Sequence, residues 1–225
     1  MHLAILGTGM VGRALAARFT ELGHTVTLGT RDPRATLARA EPDPMGNPPY
    51  AGWAAEHDQI ALATFAQAAA GADVVVNATS GAATLKVLAA AGEDNLAGKV
   101  VLDIANPLDF SAGMPPTLFV KDTDSLGEQV QRAHPRARVV KTLNTLNANL
   151  MVHPDLLPEP TSVFVSGDDA DAKAIATALL AEMGHADVID LGDISSARGT
   201  EMLLPVWLRL MGALATPVFN FKIVR

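Results

Sequence analysis

"AILGTGMVGRALA", residues 4–16, decides how the rest of the chain is read. Apolar residues lead into a glycine turn, and a helical pattern leads out of it. His2–Leu6 reads as a short buried strand, and Met10–Leu22 as a helix carrying Val11, Ala14, Leu15, Phe19 and Leu22 on one face. Gly23 suits the C′ position that stops the helix, and Thr25–Leu28 supplies a second strand. Between strand and helix, Gly7, Gly9 and Gly12 fall in the G-x-G-x-x-G pattern. Gly7 allows a tight turn out of the strand. Gly9, without a Cβ, lets a pyrophosphate approach the backbone, and Gly12 lets helix and strand pack closely. The helix N-terminus adds unpaired N–H groups and partial positive charge. Three such glycines are a weak signal alone; their place between a predicted strand and helix makes the signal specific.

The stretch "TLGTRDPR", residues 27–34, reads which dinucleotide is meant. An Asp or Glu at the end of the second strand accepts hydrogen bonds from the ribose hydroxyls of NAD. Thr30 and Arg31 stand there instead. An arginine meets the 2′-phosphate of NADP with a charge-assisted fork; Thr30 adds a hydroxyl and Arg34 a second cation. The alternative is a surface arginine with Asp32 serving the ribose.

Strands and helices keep alternating, which predicts a doubly wound, parallel α/β sheet of the Rossmann type. Residues 41–57 hold four prolines and two glycines and read as a loop or lid. Ile60–Ala63 is a third strand, and Thr64 with Gln67 has capping-box spacing before an Ala-rich helix. "DVVVN", 73–77, and Lys99–Ile104 are buried strands, and 105–124 is irregular. Ser125 and Glu128 cap a short helix, Arg138–Lys141 and Ser162–Ser166 are strands, and Asp168 caps a helix over 169–183. Asp187–Leu191 is the last strand, and 193–214 forms a helical hairpin or a helix kinked at Pro205. Ligands of such sheets lie beyond the strand C-termini. Ala78, Thr79 and Ser80 are therefore expected beside the nicotinamide ribose. Asn106, Pro107, Thr142, Asn144 and Thr145 are candidates for the nicotinamide site, with an ordinary turn as the alternative at Asn106–Pro107.

Bulk properties exclude several classes. The chain has 225 residues and a net charge of −7 with no dense Lys/Arg run, which argues against nucleic acid. With no cysteine, disulfides, thiolate catalysis and Cys-type metal sites fall away, and no histidine has metal-ligand spacing. No metal is expected. No apolar stretch reaches the ~20 residues of a membrane span, and no targeting segment precedes the first strand, so a cytoplasmic location is expected. Acid–base apparatus is sparse and no catalytic residue is assigned. Lys141 and, less so, His153 are the candidate proton donors, a structural role being the alternative for Lys141. Carbonyl or imine reduction needs a placed proton donor, whereas hydride exchange between two ring cofactors needs chiefly proximity and stacking.

In "AILGTGMVGRALA", "VTLGTRDP", "DVVVNATSG", "VVLDIANPL", "VVKTLNT", "VFVSGDDADAKAIATALL" and "DLGDISSARGTEMLLPVWLRL" the chain resembles the deazaflavin (coenzyme F420)-dependent NADP oxidoreductases over nearly its whole length. The resemblance implies one NADP-binding domain over 1–225, with 193–225 as a C-terminal helical extension, and a homodimer. It implies that Thr8, Gly9, Met10 and Val11 hold the pyrophosphate and Thr30 and Arg31 the 2′-phosphate. Ala78, Thr79, Asn106 and Thr142 then lie near the nicotinamide, and hydride passes directly to or from the deazaflavin. Thr30 and Ala35 depart from the family's usual Ser and Lys. Two other readings stand beside it: an NADPH-dependent reductase of a small carbonyl, imine or flavin, and a non-catalytic NADP-binding redox sensor. Within the last helices, Arg198 and Glu201 are spaced for an intrahelical pair. The run Leu203, Leu204, Val206, Trp207, Leu208 and Leu210 predicts burial in the core or in a dimer contact.

Overall fold

The computed structural model describes residues 1–42 and 46–225. The strands are β1 (His2–Leu6), β2 (Thr25–Thr30), β3 (Ala61–Thr64), β4 (Val74–Asn77), β5 (Val100–Asp103), β6 (Leu108–Asp109), β7 (Thr117–Leu118), β8 (Arg138–Thr142), β9 (Ser162–Ser166) and β10 (Asp187–Asp190). The helices are α1 (Met10–Glu21), α2 (Pro33–Ala38), α3 (Tyr50–Glu56), α4 (Phe65–Ala70), α5 (Thr84–Ala91), α6 (Glu93–Leu96), α7 (Leu126–Ala133), α8 (Ala148–Val152), α9 (Ala170–Glu182), α10 (Ala197–Met202) and α11 (Leu204–Leu214).

One eight-stranded sheet runs in the order β10-β9-β8-β5-β4-β1-β2-β3. Helices cover both faces, so the central strands are runs of buried apolar residues, with Asn77, Asp103 and Lys141 as buried polar residues at or near their C-terminal ends. Side-chain alternation divides the core in two. Leu3 and Ile5 of β1 join Leu15 and Phe19 of α1 on one face. Ala4 and Leu6 join Ala68 of α4 and Leu88 of α5 on the other. This is the expected Rossmann-type α/β fold, followed by C-terminal helices.

From β1 the chain winds outward to β2 and β3, then crosses back to β4 and β5. The order reverses between β1 and β4, and a crevice opens beyond their C-terminal ends. Leu6 pairs with Asn77 in register, so Gly7 and Ala78 leave the sheet side by side.

Four expectations change. The sheet is not parallel throughout: β8 and β9 are antiparallel, with Lys141 opposite Ser166 and Thr142 opposite Val165. The chain between them carries only α8 and a single 3₁₀ turn, and β9 starts at the end where β8 stops. Second, the proline-rich stretch contains α3. Its last proline is the N-cap, no proline follows, and Tyr50 anchors the first turn in the core at 0% exposure. Trp53 stacks on His57, one turn on, with ring centroids 4.2 Å apart. Residues 43–45 of that stretch lie outside the described residues. Third, Asp169 caps α9, accepting from the Ala172 N–H at 2.7 Å. Asp168 instead accepts from the Ile194 N–H, because the backbone turns helical one residue later than predicted. Fourth, the 105–124 segment carries the small antiparallel pair β6–β7. The Thr64–Gln67 capping box forms as expected.

Candidate active site

The glycine turn has the geometry its sequence implies. Gly7 sits at φ +118°, and a Cβ there would meet the Ala78 carbonyl oxygen at 2.7 Å. A Cβ on Gly12 would fall inside the Gly7 carbonyl oxygen, so helix and strand pack too closely for alanine. Gly9 is different: a Cβ there has no atom within 4 Å. Gly9 is also the N-cap of α1, and no side chain caps that helix. The space over Gly9 is thus bounded by uncapped helix N–H groups, which is what a pyrophosphate requires. Thr8 and Val11 are half-buried around it, and Met10 is exposed.

These differences separate two variants. Gly12→Ala should lower stability by about 1–3 kcal/mol, the usual cost of overpacking, and disturb the turn with it. Gly9→Ala should melt as the wild type does, yet bind NADPH at least roughly tenfold more weakly, since its methyl occupies the anion's place. Melting curves and calorimetry on both proteins check this. An unchanged affinity in Gly9→Ala would place the anion elsewhere.

Arg13 was not anticipated. It is buried on α1, donates through Nε to the Thr8 carbonyl at 2.8 Å and through its guanidinium to the Pro48 carbonyl at 2.8 Å, and lies 5.5 Å over the Tyr50 ring. It ties the phosphate turn to the segment that leads into α3. Its place after Gly12, beside the apolar stripe of α1, is the signal for it.

At the end of β2, Arg31 and Arg34 are exposed and, among the described residues, neither has a hydrogen-bond or ion-pair partner. Asp32 is engaged: its carboxylate caps α2, accepting from the Ala35 N–H at 3.0 Å. This weakens the alternative in which Asp32 serves a ribose. Thr30 is buried, and its hydroxyl is 2.8 Å from that of Thr36. Thr36 already donates to the Asp32 carbonyl, so Thr30 donates to Thr36. The free donors facing solvent here are the two guanidinium groups, not the Thr30 hydroxyl.

Across the crevice, Ala78 and Thr79 are half-buried and Ser80 is exposed. Asn106 and Asn144 are brought together as a reciprocal pair: each amide nitrogen donates to the other residue, at 2.8 and 3.0 Å. Asn144 also donates to the Thr200 carbonyl, which joins the loop after β8 to α10. Pro107 is buried behind Asn106, with its carbonyl accepting from the Phe119 N–H. Thr142 is 1% exposed and donates to the Phe164 carbonyl at 2.8 Å, so its hydroxyl holds β8 to β9 rather than facing the crevice. Thr145 is buried too.

Beneath these loops lies a buried polar cluster. Lys141 Nζ donates to Asp103 at 2.9 Å, to Glu201 at 2.9 Å and to the Ala105 carbonyl. An ammonium has three protons, and all three are used. Burial pushes the Lys141 pKa down, but the Asp103 and Glu201 carboxylates override it and hold it above the ordinary lysine value. Lys141 is thus a structural cation with no proton to offer a substrate. It fills the structural role and not that of a proton donor. His153, the other candidate, lines a separate cavity with Arg18, Gly184 and His185, away from the glycine turn. The predicted Arg198–Glu201 pair does not form. Arg198 holds Glu128 at 2.6 Å, while Glu201 turns inward to Lys141 and accepts from the N–H groups of Leu126 and Gly127, capping α7. The i, i+3 spacing was present, but each side chain found a stronger partner across the fold.

The last helix also departs from one expectation. Only Leu204 of α11 is buried, and Val206 and Leu214 are half exposed at 50% and 53%. α11 is therefore not a core helix of this chain. No helix among the described residues is long and apolar enough to cross a membrane, and no group of His, Asp and Glu side chains there is placed to hold a metal.

Fold, turn and relatives define the class, an NADP-dependent oxidoreductase. Residues 2–107 match the family described as NADP oxidoreductase, coenzyme F420-dependent. A crystal structure from Arthrobacter sp. FB24, provisionally described as an F420-dependent NADP reductase, is 62% identical, with a TM-score of 0.95 and 99% of each chain covered. The F420-dependent NADP reductase of Methanothermobacter thermautotrophicus is 28% identical over 221 residues, 93% of this chain and 89% of that one. Rat metalloreductase STEAP3 is 27% identical over 91% of this chain, which spans 37% of that longer protein. The chain belongs to the coenzyme F420-dependent NADP oxidoreductase family.

Proposed function

We propose that residues 1–225 form one NADP-binding domain, extended by 193–225, that exchanges hydride between NADP(H) and the deazaflavin coenzyme F420. The observation that carries this is the open space over Gly9 at an uncapped helix, with unpaired Arg31 and Arg34 at the end of β2. On this reading Gly7, Thr8, Gly9, Met10, Val11 and Gly12 cradle the pyrophosphate. Arg31 and Arg34 hold the 2′-phosphate, with Thr30 fixing the turn behind them. Ala78, Thr79, Ser80 and Asn106 border the nicotinamide, with Pro107 and Thr142 supporting the loops. Bound NADPH supplies the hydride.

The state of the two candidate proton donors supports this acceptor. Lys141 has no free proton, and His153 opens elsewhere. A ring cofactor that takes hydride on its own conjugated system has the least need of a placed acid. The exposed apolar residues Met202, Val206, Leu214 and Val218 around α11 support a homodimer closed through that face.

Purified protein mixed with NADPH should reduce F420 and be inert toward simple carbonyls and imines. Oxidation of NADPH only by a carbonyl or imine would replace F420 with that substrate. Oxidation by no acceptor, despite tight binding, would make the protein a sensor. Sedimentation should return the mass of two chains, falling to one when Val206→Asp and Leu214→Asp are combined.

A further inference from the structure

The polar cluster under the crevice fixes the hydrogen-bonding sense of a side chain at its surface. Asp103 is the key. Its Oδ2 accepts a hydrogen bond from the Lys141 ammonium at 2.9 Å, and its Oδ1 accepts from the Ala105 N–H at 3.3 Å. Both neighbours are donors, so Asp103 acts here only as an acceptor. Asn77 meets the same Oδ1 at 2.7 Å and must present its amide nitrogen. The side chain of Asn77 is fully buried and cannot turn to water. Its oxygen therefore points the other way, toward the Thr79 hydroxyl at 2.6 Å. A carboxamide oxygen accepts, so Thr79 must donate its single proton inward. Thr84 donates its own proton to the Ser80 carbonyl, so in its 3.4 Å contact with Thr79 it can only accept, and Thr79 still donates inward.

We infer that Thr79, whose one proton is turned inward, meets the ligand only as an acceptor, and that the donor it reads is the carboxamide NH₂ of the nicotinamide. Lys141, Asp103 and Asn77 are the positioning residues that set this sense. The inference rests on the NADP reading above and adds a specificity to it. It also gives the ionic cluster a purpose beyond stability. An apolar core at these positions would leave the Asn77 amide free to flip, and Thr79 would then accept or donate indifferently.

The test compares NADP⁺ with its 3-acetylpyridine analogue, in which a methyl replaces the carboxamide NH₂. Calorimetric binding to the wild type should favour NADP⁺ by roughly three- to tenfold, the value of one neutral hydrogen bond. Thr79→Val should bind NADP⁺ as weakly as the analogue and leave the analogue's affinity unchanged. Thr79→Ser should restore the preference. Asp103→Asn offers Asn77 a partner of either sense and should erode the preference while leaving 2′,5′-ADP, which occupies only the other end, unaffected. If Asp103→Asn does not fold, the Thr79 pair still decides. Equal losses for NADP⁺ and the analogue in Thr79→Val would move the contact to a ribose hydroxyl and overturn the assignment. So would NADP⁺ binding tightly to the wild type with no preference over the analogue, and in that case the cofactor reading survives. Failure of the wild type to bind NADP⁺ at all would remove both.

Discussion

Replacing Arg31 with alanine should weaken NADPH by roughly tenfold to a hundredfold and leave NADH within about twofold. The size comes from one charge-assisted hydrogen-bonded contact, ~1.5–3 kcal/mol, with each 1.4 kcal/mol a factor of ten. The asymmetry comes from position. Arg31 leaves β2 exposed and without a protein partner, so truncating it strands no buried group and breaks no fold contact. Its whole effect falls on whatever anion it meets. The nearest carboxylate in sequence, Asp32, is held in the α2 cap and leaves the guanidinium unopposed. Arg34→Ala should act in the same direction more weakly, and the double variant should bring the two dinucleotides close to parity. Because both cations face solvent, the preference should shrink as salt rises through the range where screening shortens to about 8 Å and below. Titration calorimetry with both dinucleotides at two ionic strengths is sufficient. Equal losses for NADPH and NADH in Arg31→Ala would refute a 2′-phosphate contact.

That prediction was legible in the sequence because it rests on local order: strand, glycine turn, helix, strand, then a cation where an acid belongs. The register Leu6–Asn77 follows from the same local pattern, since two apolar strands on either side of a reversal point place their ends together. Other features were hidden for a common reason. The direction of β9 is not written in "SVFVS", whose apolar pattern serves either orientation; the connection after β8 decides it. Helix α3 was masked by the prolines before it, although Tyr50–Glu56 contains none. Glu201 read as half of an intrahelical pair because helical spacing offered Arg198. Its real partners are distant in sequence, at 126, 127 and 141. Lys141 looked like chemistry for the converse reason: a lysine at a strand end is a candidate acid until its three acceptors are seen.

The largest stability effect is expected at that lysine. Lys141→Met keeps the length of the side chain and removes its charge, leaving Asp103 and Glu201 as neighbouring carboxylates whose side chains are 0% and 1% exposed. Breaking one partner from a buried ion pair typically costs ~3–5 kcal/mol, because the remaining charge has neither water nor counter-ion. For a chain of this size each kcal/mol moves the melting temperature by about 2–4 °C, so the midpoint should fall by roughly 6–20 °C. Arg198→Ala is the control. Its pair with Glu128 is partly exposed, with side-chain exposures of 36% and 10%, and should cost no more than about 1 kcal/mol. Lys141→Met combined with Glu201→Gln should recover part of the loss, since it removes one of the two stranded charges. The pH dependence has a definite sign. Lys141 has a raised pKa in the folded chain. Its contribution is therefore present in full below the ordinary lysine value near 10.4 and is lost as pH rises from there through the folded value. Between pH 6 and 9 the gap between wild type and Lys141→Met should not be closed by any loss of the lysine's charge. A variant that melted with the wild type would mean that the cluster contributes nothing to the fold, and the buried triad would have to be maintained for the polarity it imposes on Asn77 and Thr79 alone.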